Sequence, residues 1–328
     1  MVTNQTPTEQ YSLVAGQLRS ARRVLAVAHI VPDGDALGSL CFFKELMDSL
    51  GKDCTMYCAG LLPKSLDFLK CWSDIMIDKT KINFSEFDLI VSLDCATPSR
   101  TSLETEIFNR RKDQIFLEID HHPTSRKLSD FELRLTKAAS TTEVLFGLAS
   151  FMKIELTPTM AQSLLTGIVT DTGNFIYDSA TKATIAAAAK TIQQGANLLK
   201  ISNQTSKTKT LVGLKVWGLA LSRLIHNKKY NLIYTILTAD DLKKLGADEE
   251  VLEGISGLLS SLNEGKVALM LYESKGLIKG SLRSIDKNVN VARLAGIFGG
   301  GGHVLASGFV VKGNLALNNG KWHVAVTK

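Results

Sequence analysis

The chain has no apolar run long enough to cross a bilayer, a task that takes about 20 such residues. Its most promising stretch, Thr184 to Ala189, is stopped by Lys190. The opening segment MVTNQTPTEQ lacks the basic residues and apolar core of a secretory signal. Together these readings point to a cytoplasmic protein without membrane attachment. Cysteine is scarce: Cys41, Cys54, Cys58, Cys71 and Cys95 are odd in number and contain no CxxC pair. That excludes a disulfide scaffold and a zinc ribbon, and leaves buried small hydrophobes. Internal repeats and low-complexity tracts are absent. Charge of one sign is also lacking, since 38 basic residues face 32 acidic ones for a net +6. This modest excess is compatible with a phosphate-bearing ligand but selects none.

What is present is the composition of a soluble globular chain, 45% hydrophobic and 21% charged. At 328 residues it exceeds one ordinary core, so two domains are expected. Strand-like and helix-like patterns alternate over the first two hundred residues. VLAVAH (Val24 to His29), FDLIVSLD (Phe87 to Asp94) and QIFLEID (Gln114 to Asp120) read as buried strands. Ala36 to Leu50 has helical spacing with Gly51 as a stop, and Thr157-Pro158 is a cap and first residue of a second helix. A further helical pattern over Ala183 to Ile192 ends at Gly195. This alternation predicts an α/β domain over residues 1–200 with a mainly parallel sheet flanked by helices. A polar stretch and a helix from about Leu211 to Ile225 make a linker over 201–226. Residues 227–328 hold a strand (NLIYTIL), a helix (Glu249 to Leu262) and a strand (VALMLYE), and read as a smaller C-terminal α/β or α+β domain.

The placement of the six histidines discriminates further. His226 and His323 look incidental, but His29, His121, His122 and His303 sit in clusters. HIVPDGDALGS carries His29, Asp33 and Asp35 from a strand end into a helix. Capping accounts for Asp35 near a helix start, yet leaves His29 and Asp33 unexplained. SLDCAT ends a strand in Asp94, LEIDHHPTS ends one in Asp120 followed by His121 and His122, and GIVTDTGNF places Asp171 just past a helix. Taken singly, these are a turn residue, a solvated loop and an Asx turn. Taken together, they lie where loops of a parallel sheet converge, at the carboxyl ends of strands. Several carboxylates meeting there repel one another unless cations intervene. Mixed imidazole and carboxylate donors suit Mn²⁺, Fe²⁺, Co²⁺ or Zn²⁺ better than Ca²⁺ or Mg²⁺. Two such ions sharing a carboxylate make a phosphoryl-hydrolysis site.

HIVPDGDALGS, SLDCAT, IDHHPTS and GIVTDTGNF resemble, in order, the four motifs of the DHH phosphoesterase superfamily. FGGGGHVLASGF resembles the glycine-rich signature of the DHH-associated domain, with Ala306-Ser307-Gly308 where many relatives have Ala-Ala-Gly. The pairing and the length are similar to the bifunctional oligoribonuclease and pAp-phosphatase (nanoRNase) group. The resemblance implies two divalent metal ions, Mn²⁺ foremost. His29, Asp33 and Asp94 would hold one, and Asp35, Asp94, His121 and Asp171 the other. It implies that His122 faces the scissile phosphate and that Asp120 orients an imidazole. Gly300, Gly301 and Gly302 before His303 would cradle a phosphate, where a glycine run alone reads as a flexible turn. Arg283, with Arg100 as a weaker candidate, would hold a substrate phosphate across an interdomain cleft. The expected substrates are very short RNA and pAp. Linear or cyclic dinucleotides are the rival class, and an inactive nucleotide- or RNA-binding module the alternative outside enzymes. A homodimer is plausible for the group.

Overall fold

The computed structural model describes residues 5–123, 128–205, 210–252, 254–318 and 321–325. Ser206 to Lys209 of the expected linker, and Thr124 and Ser125 of LEIDHHPTS, lie outside the described residues. The chain divides into two compact units near residue 208.

The first unit opens with α1 (Pro7–Ser20), whose start is fixed by a capping box between Thr6 and Glu9. Then follow β1 (Arg23–Ala28), α2 (Gly34–Ser49), β2 (Asp53–Cys58), β3 (Leu89–Leu93) and α3 (Glu104–Phe108). β4 (Ile115–Asp120), β5 (Phe131–Arg134), α4 (Thr141–Met152) and α5 (Pro158–Asp171) come next, and α6 (Lys182–Gln193) and α7 (Leu198–Thr205) close the unit. The five strands form one parallel sheet in the order β2-β1-β3-β4-β5. The strand order reverses between β1 and β3, and a crevice opens at such a point beyond the carboxyl ends.

Alternation along the strands sorts their side chains onto two faces. Val24, Ala26, Val91, Leu93, Leu117 and Ile119 pack with α1, α2, α4 and α5. Leu25, Val27, Ile90 and Phe116 turn the other way and pack with Leu103 and Ile107 around α3. Both faces are covered, which explains why the strands read as continuous apolar runs. Outside α5, the alanines of α6 and Ile201 of α7 form a further layer. All five cysteines are buried and free.

The second unit contains α8 (Leu211–Ser222), β6 (Ile225–Asn227), β7 (Leu232–Leu237), α9 (Ala239–Leu245), α10 (Ile255–Leu259) and β8 (Val267–Ser274). It continues with β9 (Leu277–Ser284), α11 (Val291–Ile297), β10 (Gly301–Gly302), β11 (Ala306–Lys312), β12 (Asn314–Asn318) and β13 (Lys321–Ala325). Six strands form a mixed sheet, β10-β11-β9-β8-β7-β6, and β12 pairs with β13. The helix expected over Glu249 to Leu262 is broken. A 3-10 turn over Glu249–Leu252 precedes α10, and Gly254 between them adopts φ +88°, outside the helical region. No helix among the described residues is long and apolar enough to cross a membrane.

Helices α2 and α5 approach closely because Gly38 faces the backbone of α5. A Cβ there would meet the Ser163 carbonyl oxygen at 2.5 Å. Gly38→Ala should therefore cost about 1–3 kcal/mol through overpacking. Denaturant unfolding of the full chain measures it, and a change within error of zero would mean that the helices separate freely.

Candidate metal centre

Each strand of the central trio delivers one part of the site. His29 follows β1 and is buried. Asp33 then caps α2, its Oδ1 accepting from the amides of Asp35 and Ala36, each at 3.0 Å. Capping thus belongs to Asp33 and not to Asp35. The second carboxylate is fully buried in the first turn of α2 and reaches to another helix. Asp35 accepts from Thr141 N (2.6 Å), Thr142 N (2.9 Å) and Thr142 Oγ1 (2.7 Å), at the N-terminus of α4. These amides are among the donors that a helix start leaves without internal partners, and its dipole favours an anion there.

Asp94 follows β3 with φ +60° and Ala96 with φ +59°, a turn in the left-handed region. Such backbone costs about 1–3 kcal/mol per residue and persists where its surroundings enforce it. The turn brings the Asp94 carboxylate to the centre of the group. Its Oδ2 lies 3.6 Å from His29 Nε2, and its Oδ1 lies 3.6 Å from His121 Nε2 and 3.3 Å from His122 Nδ1. Thr141 Oγ1 donates to the same Oδ1 at 2.9 Å. Asp120 closes the turn after β4. Its Oδ1 accepts from His122 N at 2.8 Å and meets His122 Nδ1 at 2.9 Å, while its Oδ2 accepts from Ala96 N at 2.6 Å. Asp171, the last residue of α5 rather than a residue beyond it, places Oδ2 3.3 Å from His121 Nε2.

All eight polar residues expected in this site are therefore gathered. His29 with Asp33 and Asp94, Asp35 with Asp94 and His121, and Asp94 with Asp120 and His122 each form a group of ligand atoms within 4.8 Å of one another. Asp94 is common to the three. The electrostatics fit cations. Burial, then the Asp94 and Asp33 carboxylates, push the Asp35 carboxyl well above the usual carboxylate range. Burial, then Asp35, Asp33, Asp94 and Asp120, do the same to Asp171. Burial would also raise Asp94, but His122 and His29 outweigh it and hold that carboxyl low. Asp120 is held low by His122 against the same burial.

The imidazoles divide. Burial favours the neutral form of His121, whose Nδ1 contacts the Ala138 carbonyl at 3.3 Å. Only an Nδ1–H satisfies that acceptor, so the Nε2 lone pair faces the Asp94 and Asp171 oxygens. Three acceptors pointing together form a donor set for a cation, with the second nitrogen held by a carbonyl as metal-binding imidazoles usually are. For His122 burial works against the charge, but Asp120 and Asp94 raise it to about 10, so this ring is a cation and a donor.

Arg100 contributes through its backbone, its carbonyl accepting from Ile30 N at 2.9 Å and tying down the loop after His29. The remaining expected residues belong to the second unit. Gly301 and Gly302 pair with Gly308 and Ser307, and the intervening turn closes through His303 N donating to the Ala306 carbonyl at 2.7 Å. Arg283 pairs with Ala306 across β9 and β11. Its Nη1 donates to the Leu282 carbonyl and the Ser281 hydroxyl. Ser307 donates to the Val291 carbonyl at 2.7 Å, which assigns its hydroxyl to anchoring α11. A Cβ at Gly300 would strike the Gly308 carbonyl, and Gly302 has φ +138°, so the hairpin itself requires these two. Gly301 has neither a positive φ nor an atom within 4 Å of a built Cβ.

Sequence reasoning missed Ser140-Thr141-Thr142-Glu143. The signal was there, since Ser140 caps α4 by accepting from Glu143 N in the S-x-x-E pattern of a helix start. It also missed Arg134, which no spacing rule singles out.

Residues 23–168 match the DHH family, N-terminal domain, and residues 229–320 match the DHHA1 domain. A Thermus thermophilus protein named bifunctional oligoribonuclease and PAP phosphatase NrnA is 28% identical over 306 residues, covering 93% of this chain and 89% of its own. Its namesake in Bacillus subtilis is 26% identical over 283 residues, covering 85% and 86%. An exopolyphosphatase-related protein from Bacteroides fragilis superposes with a TM-score of 0.85 at 25% identity, over 94% of this chain and 92% of its own.

The shifts predict an unusual response to pH. His122 keeps its proton in the folded state up to about 10 and loses it near 6.5 when unfolded. The stability this contributes is complete below the unfolded value and is lost as pH rises through the folded one. Raised Asp35 and Asp171 act in the same direction from the ordinary carboxylate range upward. With chelator, the melting temperature should fall steadily between pH 6.5 and 9; with saturating Mn²⁺ it should rise and the slope should flatten. A chelated protein whose melting temperature climbs over that window would contradict these protonation states.

Proposed function

For a chain built of a DHH family N-terminal domain followed by a DHHA1 domain, we propose a metal-dependent phosphohydrolase acting on very short RNA and on pAp. The single observation that carries the chemistry is Asp94, whose buried carboxylate is common to three groups of ligand atoms. His29, Asp33 and Asp94 would hold one divalent ion, and Asp35, Asp94, His121 and Asp171 a second; of the ions that suit these mixed donors, the family resemblance favours Mn²⁺. Divalent ions in such a site supply Lewis acidity toward phosphate oxygens and make water a competent nucleophile near neutral pH.

The chain's own groups do the rest. His122 carries a proton at working pH, held by Asp120 and Asp94. It donates to the phosphate and then protonates the leaving oxygen. Asp120 keeps that ring in place through two contacts with His122, one to its amide and one to its Nδ1. The donors of α4 fix the position of the Asp35 carboxyl, and a cation bound there would favour the ionised form that its burial disfavours. In the second unit, Arg283 and the backbone around Gly301 to His303 are the anion-holding groups that would read a nucleotide's terminal phosphate. The substrate class is supported by the names of the Thermus thermophilus and Bacillus subtilis relatives. Dinucleotides share the same chemistry and are the second substrate class to compare.

The test is a panel of di- to pentaribonucleotides, pAp, linear and cyclic dinucleotides and pyrophosphate, ranked by kcat/KM with Mn²⁺. Short RNA and pAp should lead. No product from any of them would end the enzyme reading and leave a binding module. Asp94→Ala should abolish turnover, and retention of most activity would remove Asp94 from its central place. Gly301→Ala, at a position where the fold leaves room, should raise KM several-fold with kcat nearly unchanged. An unaltered KM would release that backbone from substrate binding.

A further inference from the structure

Arg134 closes β5, and its side chain, only 8% exposed, reaches the turn that carries both active imidazoles. Its Nη1 donates to the His122 carbonyl at 2.7 Å and lies 3.4 Å from Asp120 Oδ2. Nη2 lies 3.7 Å from Glu118 Oε1, and Nε donates to Glu132. One guanidinium therefore faces three carboxylates and a main-chain carbonyl.

Holding β4 against β5 does not require this arrangement. The pairs Asp120↔Arg134 and Glu118↔Glu132 are set by the parallel ladder. Apolar residues would fill the same space without the desolvation cost of buried charges. The informative acceptor is the His122 carbonyl, because it lies beyond the strand, in the turn itself. Ala96 N fixes Asp120 from the β3 side, and Arg134 fixes the same oxygen from the β5 side. The other Asp120 oxygen is thereby left for the amide and ring of His122.

We propose that Arg134 is a positioning residue for the Asp120-His121-His122 turn. By holding the His122 carbonyl and the Asp120 carboxylate at once, it sets where His121 Nε2 meets Asp94 and Asp171 and where the His122 ring lies against Asp94. The planar fork matters as much as the charge: Nε and Nη2 face Glu132 and Glu118 and so fix where Nη1 meets the two acceptors of the turn, whereas a lysine is a single point donor that cannot face all of them in fixed geometry. The role in turnover rests on the function proposed above; the role in shaping the ligand set does not.

The experiment compares Arg134→Met and Arg134→Lys with the wild type in the full chain. It reads Mn²⁺ affinity by calorimetry, and kcat and KM on a substrate that the wild type cleaves. Arg134→Met should weaken Mn²⁺ binding and lower kcat by about 10–100-fold each. KM should stay within about twofold. Arg134→Lys should fold like the wild type and still lose about tenfold in both quantities. Should the Met variant not fold, the Lys variant decides alone. Folded variants with wild-type Mn²⁺ affinity and kcat would overturn the proposal, as would a lowered melting temperature with both constants unchanged. A wild type inactive on every substrate sinks the function proposed above, while the Mn²⁺ affinities still judge Arg134.

Discussion

Two carboxylates buried side by side, Asp35 and Asp94, are the constraint around which the first unit is arranged. Like charges in a low-dielectric interior are tolerated only when each is answered by donors or cations. Asp35 is answered by the opening amides of α4 and by the Thr142 hydroxyl. Asp94 is answered by the Thr141 hydroxyl and by imidazoles from two different loops. To supply these partners, β1, β3 and β4 must end at one level and α4 and α5 must bring their ends to the same crevice. The sheet order meets that demand, because the reversal between β1 and β3 opens the space at the strand ends.

The parts of this design that show in the sequence are those with a local signature. Buried parallel strands leave apolar runs, and a run ending in aspartate or histidine marks the site. Thr157 and Pro158 announce α5 because a cap and a first-turn proline are both local, and the Thr157 hydroxyl does accept from Met160 N. What stayed hidden depends on partners distant in the chain. Asp35 and Thr142 are 107 residues apart, and nothing near either names the other. Arg134 went unremarked because its acceptors sit on a neighbouring strand and its turn. The break in the helix expected over Glu249 to Leu262 falls at Gly254, whose positive φ no periodicity announces.

The second unit shows a related division between residues needed by the backbone and residues left over. Gly300 and Gly302 are spent on the hairpin, and Ser307 on the start of α11. Gly301 is not spent in this way. A motif that reads as one glycine-rich signature is therefore two things superposed, a folding requirement and an open surface.

Asp33 carries a similar superposition within one side chain. Oδ1 caps α2, and Oδ2 lies 4.0 Å from His29 Nε2. Capping alone admits serine, threonine and asparagine. A negative charge alone admits glutamate. The first set lacks the charge, and glutamate is one methylene too long to cap from the same backbone position. If Asp33 also holds the cation proposed above, the overlap of the two vocabularies is a single word, and this exposed loop position would have less freedom to vary than many residues of the core.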